Sequence, residues 1–336
     1  MSDSETKTIN VGIVGYGGAF NMGRAHGEAC EETGMKVVAV CDIDASRATV
    51  AQEDFPGSKF YTDYKELVAD PSIGLVINIL PHNLHASVCI EALNAGKNVV
   101  VEKPMCMNVA EADAMVDASK KSGKMLSVFH NRRWDGDFRT ILDLIQRGIV
   151  GDVFHIEACM GGMHHPGTWW RSYKNISGGA MFDWGAHIVD WILQFVPQEV
   201  KGVDGYYHKL RWTDVSNEDH TELVIRFEKG PTAQVEISYI AAAGKPRWRI
   251  LGTKGAIVMT GWDRIEVTVD HEGYLAKFDA PMQQSDWKAY YRNIHGHLAK
   301  GEKLVVTAEE SRRNIAIIEA AEDSSKLGQT VVPKHR

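Results

Sequence analysis

The sequence predicts an α/β protein: an N-terminal doubly wound parallel sheet, followed by a second α/β region whose sheet is largely antiparallel. Three observations carry that reading. From residue 9 to about 130, apolar runs alternate with helical segments, the rhythm of strand–helix–strand units in a parallel sheet. The first of these runs ends in a glycine-dense turn, Gly15, Gly17 and Gly18, that leads straight into a helix. Beyond residue 131, short strand-like runs succeed one another across turn residues such as Glu228-Lys229-Gly230-Pro231, the pattern of hairpins.

In chain order, residues 9–14 read as a short strand, with a helix opening near 21–23. Residues 36–41 (KVVAVC) form the second strand, 45–54 a helix, 59–61 a short strand and 63–69 a helix with Asp63 as N-cap. The continuous apolar run 75–80 (LVINIL) suits a strand buried on both faces. Its end, Pro81-His82-Asn83-Leu84-His85, opens a helix that runs to residue 95 and is stopped by Gly96. Strand 98–101, helix 109–122 and strand 125–130 complete the parallel part. A helix over 137–147, a strand over 153–159 and a helix over 179–195 follow. Strand-like runs then cover 200–211, 221–228, 232–240, 247–251, 256–260 and 265–269, and helices over 286–300 and 308–327 come last. No internal repeat or low-complexity tract interrupts the order.

A strand that enters a helix through glycines gathers backbone N–H groups and the positive end of a helix dipole at one point, where a pyrophosphate can sit. Glycines also close tight turns for steric reasons alone, so context decides between a nucleotide site and a structural turn. The second strand ends in Asp42, 27 positions after Gly15, where an acid can accept hydrogen bonds from the adenosine ribose. An aspartate there repels a 2′-phosphate and favours NAD over NADP, while Arg47 close behind softens that preference and leaves NADP open. The strict glycine pattern puts its third glycine at Phe20, and the next glycine is Gly23, so the turn departs from the usual length.

At 336 residues the chain has room for two domains, and a boundary near 130/131 divides a dinucleotide-binding domain, 1–130, from a substrate-binding and oligomerisation domain, 131–336. With 44% hydrophobic and 24% charged residues it has the composition of a globular protein. A net charge of −7 and the lack of any Lys/Arg block exclude nucleic acid and anionic membrane as partners. The first ten residues are polar, without the apolar stretch of a signal peptide, and no run of about 18 apolar residues occurs, so a cytoplasmic address is expected. Cys30, Cys41, Cys89, Cys106 and Cys159 are odd in number and lack a C-x-x-C pair, and read as buried thiols outside any disulfide or metal site.

The candidate chemistry lies in four stretches. At 99–104 (VVVEKP) a buried strand delivers Lys103 to the mouth of the sheet, where a partly desolvated lysine either hydrogen-bonds a reacting hydroxyl or pairs with Glu102 or another acid. Pro104 fixes the backbone there, with a cis peptide as one way of doing so. In Ser177-Gly178-Gly179-Ala180-Met181-Phe182-Asp183-Trp184-Gly185-Ala186-His187, Asp183 and His187 are four apart and share a face if both are helical. That pair supplies an acid and a base for proton transfer, or a structural hydrogen bond. Residues 160–171 (MGGMHHPGTWWR) place His165, Trp169, Trp170 and Arg171 in a loop suited to stacking on a sugar ring or clamping a carboxylate. His164 and His165, being adjacent, point apart on extended chain, and nothing is spaced to complete a metal site, so no metal is expected. In 130–137 (HNRRWDGD), Arg132 and Arg133 either bind substrate or brace the two domains.

Together VGIVGYGGAF, PHNLH, EKPMCMN, HNRRWDGDF and WWRSYKNISGGAMFDWGAHIVDW resemble the glucose–fructose oxidoreductase/inositol dehydrogenase family, Gfo/Idh/MocA, in the family's order over roughly residues 11–191. The resemblance implies an N-terminal Rossmann domain, a C-terminal α/β domain on an open antiparallel sheet, and hydride transfer between a nicotinamide cofactor and a sugar, polyol or inositol-like hydroxyl. It implies that Lys103 hydrogen-bonds the reacting oxygen, Asp183 orients substrate and His187 takes the hydroxyl proton. Substrate would further be shaped by Arg132, His165, Trp169, Trp170 and Arg171. NAD, with NADP open, would be held by Gly15, Gly17, Gly18, Ala19, Phe20, Asp42, Arg47, Leu80, Pro81, His82, His85, Glu102, Lys103 and Asn131. A homodimer or homotetramer is implied as well. Two other activities stay open: glycoside cleavage through transient oxidation by tightly bound NAD, and a non-catalytic sensor of cofactor or sugar, against which the intact Lys103, Asp183 and His187 weigh.

Overall fold

The structure is a computed structural model that describes residues 8–17 and 21–336. The first elements are β1 (Asn10–Val14), α1 (Met22–Glu32), β2 (Lys36–Cys41), α2 (Arg47–Asp54), β3 (Lys59–Tyr61), α3 (Tyr64–Ala69), β4 (Leu75–Asn78), α4 (His85–Asn94), β5 (Asn98–Val101), α5 (Val109–Ser122) and β6 (Leu126–Val128). They continue with α6 (Gly136–Gln146), β7 (Val153–Gly161), α7 (Lys174–Ser177) and α8 (Trp184–Phe195). Then come β8 (Val200–His208), β9 (His220–Phe227), β10 (Thr232–Ser238), β11 (Trp248–Gly252), β12 (Gly255–Met259), β13 (Ile265–His271) and β14 (Tyr274–Ala280), followed by α9 (Lys288–Lys300) and α10 (Ala308–Leu327). The chain divides into two compact units, one taking residues up to Cys106 with Ala110–Asn131 and Trp287–Arg312, the other Met107–Val109, Arg132–Asp286 and Arg313–Arg336.

In the first unit six parallel strands lie in the order β3-β2-β1-β4-β5-β6. Chain direction along the sheet reverses between β1 and β4, so the carboxyl ends of those two strands flank the crevice where such sheets take ligands. The strands read as unbroken apolar runs because both faces are covered. Val11, Ile13, Leu75, Val76, Ile77, Val99, Val100 and Val101 have no exposed surface. The sequence expects a helix from 81 to 95, and the structure instead has a 3-10 turn, His82–Leu84, before α4 begins at His85.

In the second unit eight strands lie in the order β14-β13-β12-β11-β7-β10-β9-β8, antiparallel except for the parallel pair β7 and β10. One face is apolar: α8 packs on it, with Trp191, Phe138, Phe195 and Trp248 in mutual ring contact at centroid distances of 5.3–5.6 Å. The opposite face is polar and tied across strands, Arg249 to Glu157 at 3.0 Å and Gln234 to Glu222 at 2.8 Å.

Two elements differ from the sequence reading. The helix expected over 179–195 is broken: Gly178 and Gly179 have φ of 87° and 125°, a 3-10 turn covers Ala180–Phe182, and the α-helix starts only at Trp184. Strand β14 was not expected at all. It has no buried face before Ala280, with Tyr274 79% and Leu275 75% exposed, so it carries no alternation of apolar and polar residues. It forms because Glu272 and Gly273, with φ of 54° and 85°, make a two-residue turn of type I′ that folds it back on β13.

Trp191 is 1% exposed at the centre of the aromatic stack. Trp191→Ala is expected to lower stability by about 3–5 kcal/mol, read by urea unfolding; a loss under about 1 kcal/mol contradicts this packing.

Candidate active site

The first unit builds its site at the end of β1. Gly15 has φ 95°, and a Cβ there would lie 3.1 Å from the carbonyl carbon of Ile79 and from the amide nitrogen of Leu80. No side chain fits between the ends of β1 and β4, and the turn is locked further by Gly15 N–H donating to Cys41 O at 2.9 Å. Beside Gly17 the space is open, the nearest atom to a Cβ being Asp42 Oδ2 at 3.9 Å. Asp42 therefore lies at the glycine turn, its Oδ1 accepting from the Asp44 amide at 2.9 Å. Arg47 Nε donates to the Tyr16 carbonyl at 3.2 Å. The Tyr16 hydroxyl donates to Asp54 at 2.5 Å, and burial followed by that carboxylate pushes the phenol well above its ordinary range.

Gly23 resolves the irregular glycine spacing. A Cβ on it would sit 2.4 Å from the Tyr16 ring, so Gly23 lets the first turn of α1 close on the strand end, the packing role of the third glycine in the shorter pattern. Gly18, Ala19 and Phe20 lie outside the described residues. An open cradle without side chains, a carboxylate beside it and a helix start behind it together fit a dinucleotide.

The second wall of this site comes from β4 and β5. The Leu80 amide donates to Asn78 Oδ1 at 3.1 Å, and both ring nitrogens of the buried His85 face carbonyl oxygens, Leu80 O and Pro104 O, each at 2.7 Å. His82 is buried with its ring 5.5 Å from that of His85. Pro81 immediately precedes the turn that carries both. The Lys103–Pro104 peptide is cis. Glu102 takes its amide bond to Asn78 O at 2.9 Å and accepts the Lys103 amide on Oε2 at 3.0 Å. Asn131, 6% exposed, ends this part of the unit. Gly15, Gly17, Asp42, Arg47, Leu80, His85, Glu102 and Lys103 thus share one end of the parallel sheet.

In the second unit Asp183 is the residue before α8 rather than within it, with φ −84° and ψ −90°. Its Oδ1 receives Arg171 NH1 at 2.7 Å, and the same guanidinium lies 4.9 Å from the Trp170 ring and 5.4 Å from that of Trp169. His187, 5% exposed, stands on α8 with its ring 5.9 Å from Trp184. Arg132 lies over the Trp184 ring at 4.6 Å and bonds Asp135 at 3.0 Å. Arg133 forms a buried two-point pair with Asp190 of α8, at 2.6 and 2.8 Å, and so braces its own unit. His165 stands aside from this cluster: Nδ1 accepts from the Gly167 amide at 3.0 Å and Nε2 faces Asp214 at 3.0 Å, with Trp212 against the ring at 4.9 Å.

Two residues join the cluster that the sequence did not single out. Trp262, in the loop after β12, meets the Trp184 ring at a tilt, 5.8 Å between centroids, and lies under Arg247 at 3.7 Å. Tyr239 follows β10, and burial, then the Asp183 charge, push its phenol up to about 12. Neither stands in a motif; strand register brings Tyr239 in, and a long-range ring contact brings Trp262. Among the described residues no three His, Cys, Asp or Glu side chains stand together as metal ligands, and no helix is long and apolar enough to cross a membrane.

Comparison with known proteins gives a consistent result. Residues 9–130 match the family described as "Oxidoreductase family, NAD-binding Rossmann fold", and residues 138–258 match the GFO/IDH/MocA C-terminal domain. A scyllo-inositol 2-dehydrogenase (NADP(+)), IolW, of Bacillus subtilis is 30% identical, over 98% of this chain and 97% of its own. A myo-inositol 2-dehydrogenase of Thermotoga maritima is 25% identical over 96% and 98%. The crystal structure of an NAD-binding protein from Listeria innocua superposes with a TM-score of 0.85, 30% identity and 97% coverage of both chains.

Gly15→Ala puts a methyl against the β4 backbone at a positive φ, and is expected to destabilise the first unit by about 1–3 kcal/mol and to weaken nicotinamide dinucleotide binding. Calorimetric titration with NADH beside a thermal melt checks both, and wild-type affinity in a well-folded variant contradicts the close approach.

Proposed function

This chain belongs to the Gfo/Idh/MocA oxidoreductase family, and from that premise we propose that it transfers a hydride between a nicotinamide cofactor and a secondary hydroxyl of a cyclic polyol or sugar. The observation that carries the reading is the Glu102-Lys103-Pro104 turn at the carboxyl end of β5, on the same end of the sheet as the Gly15 turn and Asp42. Relatives named for scyllo-inositol and myo-inositol support a ring polyol over an open-chain substrate.

When bound, the nicotinamide supplies the hydride acceptor, or the donor in the reverse direction. We assign Gly15, Gly17, Gly18, Ala19 and Phe20 to its phosphates, Asp42 to its ribose, and Leu80, Pro81, His82, His85, Glu102 and Asn131 to the wall beside it. Lys103 donates a hydrogen bond to the reacting oxygen and stabilises negative charge as it develops. His187 accepts the hydroxyl proton in oxidation and returns it in reduction. Asp183, fixed by Arg171, orients a substrate hydroxyl, while Trp169, Trp170 and Arg132 shape the pocket. Residues 1–130 are the dinucleotide-binding domain in this reading, and 131–336 the substrate-binding and oligomerisation domain. A cytoplasmic homodimer or homotetramer is part of the same proposal, supported by five cysteines outside any disulfide and by the exposed apolar residues of β14.

Absorbance at 340 nm with NAD or NADP over a panel of inositols, polyols and sugars tests the reading. Lys103→Ala and His187→Ala are each expected to lower kcat by about 100-fold or more while NADH still binds. Cofactor that co-purifies without turnover across the panel contradicts a dehydrogenase and directs the search to glycosides. Asp42→Ser removes the carboxylate beside Gly17, and is expected to lower NAD affinity about tenfold and to favour NADP, read by paired titrations with the two cofactors.

A further inference from the structure

We propose that His26 is a positioning residue for the reaction: seated by Tyr291, it fixes the Glu102 carboxylate, which in turn fixes the backbone of Lys103. The proposal rests on the hydride-transfer reading of Lys103.

His26 lies on α1, far in sequence from the other members, and is 1% exposed. Its Nδ1 is 2.5 Å from the Tyr291 hydroxyl on α9, and its Nε2 is 3.0 Å from Glu102 Oε1. The other carboxylate oxygen accepts the Lys103 amide at 3.0 Å. The direction of each bond follows from chemistry. Burial, more than its neighbours, keeps the Tyr291 phenol protonated far above its ordinary range, so it has a proton to give to Nδ1. That leaves the Nε2 hydrogen for Glu102. Burial alone would push the Glu102 carboxyl up, yet the His26 hydrogen bond and then Lys103 hold it below the usual carboxylate range, so it accepts on both oxygens.

The result is a run of three hydrogen bonds in which Tyr291 donates to His26, His26 donates to Glu102, and Glu102 accepts the Lys103 amide on its other oxygen, so that His26 and Glu102 are each held at two points. Phe129 packs on the imidazole at 4.3 Å and holds its plane. The other titratable groups facing the run are Cys30 on α1, Tyr290 on α9 and Lys103 itself. Tyr290 is committed to Ser127 at 2.8 Å, and burial pushes the Cys30 thiol well up and keeps it neutral. Packing by itself does not call for this arrangement, because apolar residues of similar volume stabilise a core as well as a buried polar run does. A polar run that ends on the amide of one lysine makes sense as aim.

The test uses full-length protein with NADH bound. Lysines are 13C-dimethylated reductively, and the Lys103 signal is assigned by its loss in Lys103→Arg. His26→Asn can meet Tyr291 but not Glu102, whereas His26→Gln reaches Glu102 with an amide nitrogen. In His26→Asn the Lys103 signal is expected to move and kcat to fall about tenfold or more, with KM for NAD little changed. His26→Gln is expected to restore the signal and most of kcat. An unmoved Lys103 signal and an unchanged kcat in His26→Asn, with only a lower melting temperature, overturns the proposal. If wild-type protein oxidises nothing while the signal still moves in Asn and returns in Gln, the positioning stands and the dehydrogenase reading falls. Should His26→Asn fail to fold, Tyr291→Phe, which deletes only the hydroxyl that seats the ring, carries the same readouts in the same direction, and no movement there overturns the proposal equally.

Discussion

The close approach of two strand ends at Gly15 is the constraint on which the first unit is built. With a Cβ only 3.1 Å from the β4 backbone, the end of β1 must be glycine, and its positive φ turns the chain up and over the sheet instead of along it. Everything nearby follows from that turn. Tyr16 is delivered to Asp54, Gly17 is brought beside Asp42, and α1 starts where Gly23 can lie flat on the Tyr16 ring. The same helix then carries His26 down to Glu102, so one backbone conformation sets both the cradle and the seat of Lys103.

The parallel sheet was legible because its strands are covered on both sides and must be continuously apolar, and because glycines mark its one sharp turn. Helix α5 and strand β5 fall at the residues the periodicity gives, 109–122 and 98–101. The second unit was legible only as a succession of hairpins. Its parallel pairing of β7 with β10 joins residues more than seventy apart, and no local pattern encodes such a partner. The break before α8 also escaped the pattern, since the apolar spacing runs on through Ala180–Phe182 while two glycines with positive φ stop the helix.

For the site, motifs announced the residues but not their company. Asp183 was visible as one of an acid–base pair, whereas its tie to Arg171 depends on a loop that folds back over twelve residues. Tyr239 and Trp262 sit in ordinary strand and loop sequence and acquire meaning only from what lies against them. His26 illustrates the same point within the first unit, because a histidine on an amphipathic helix looks like a satisfied core residue until its two partners are known.

Strand β14 bears on how this sequence can change over time. Held by a turn and a ladder of backbone bonds, with every side chain before Ala280 exposed, it owes nothing to the packing of its own unit beyond extended conformation. Substitutions at Tyr274, Leu275 and Phe278 leave the aromatic stack under α8 untouched, so on this hairpin variation can alter how copies of the chain associate without disturbing the core.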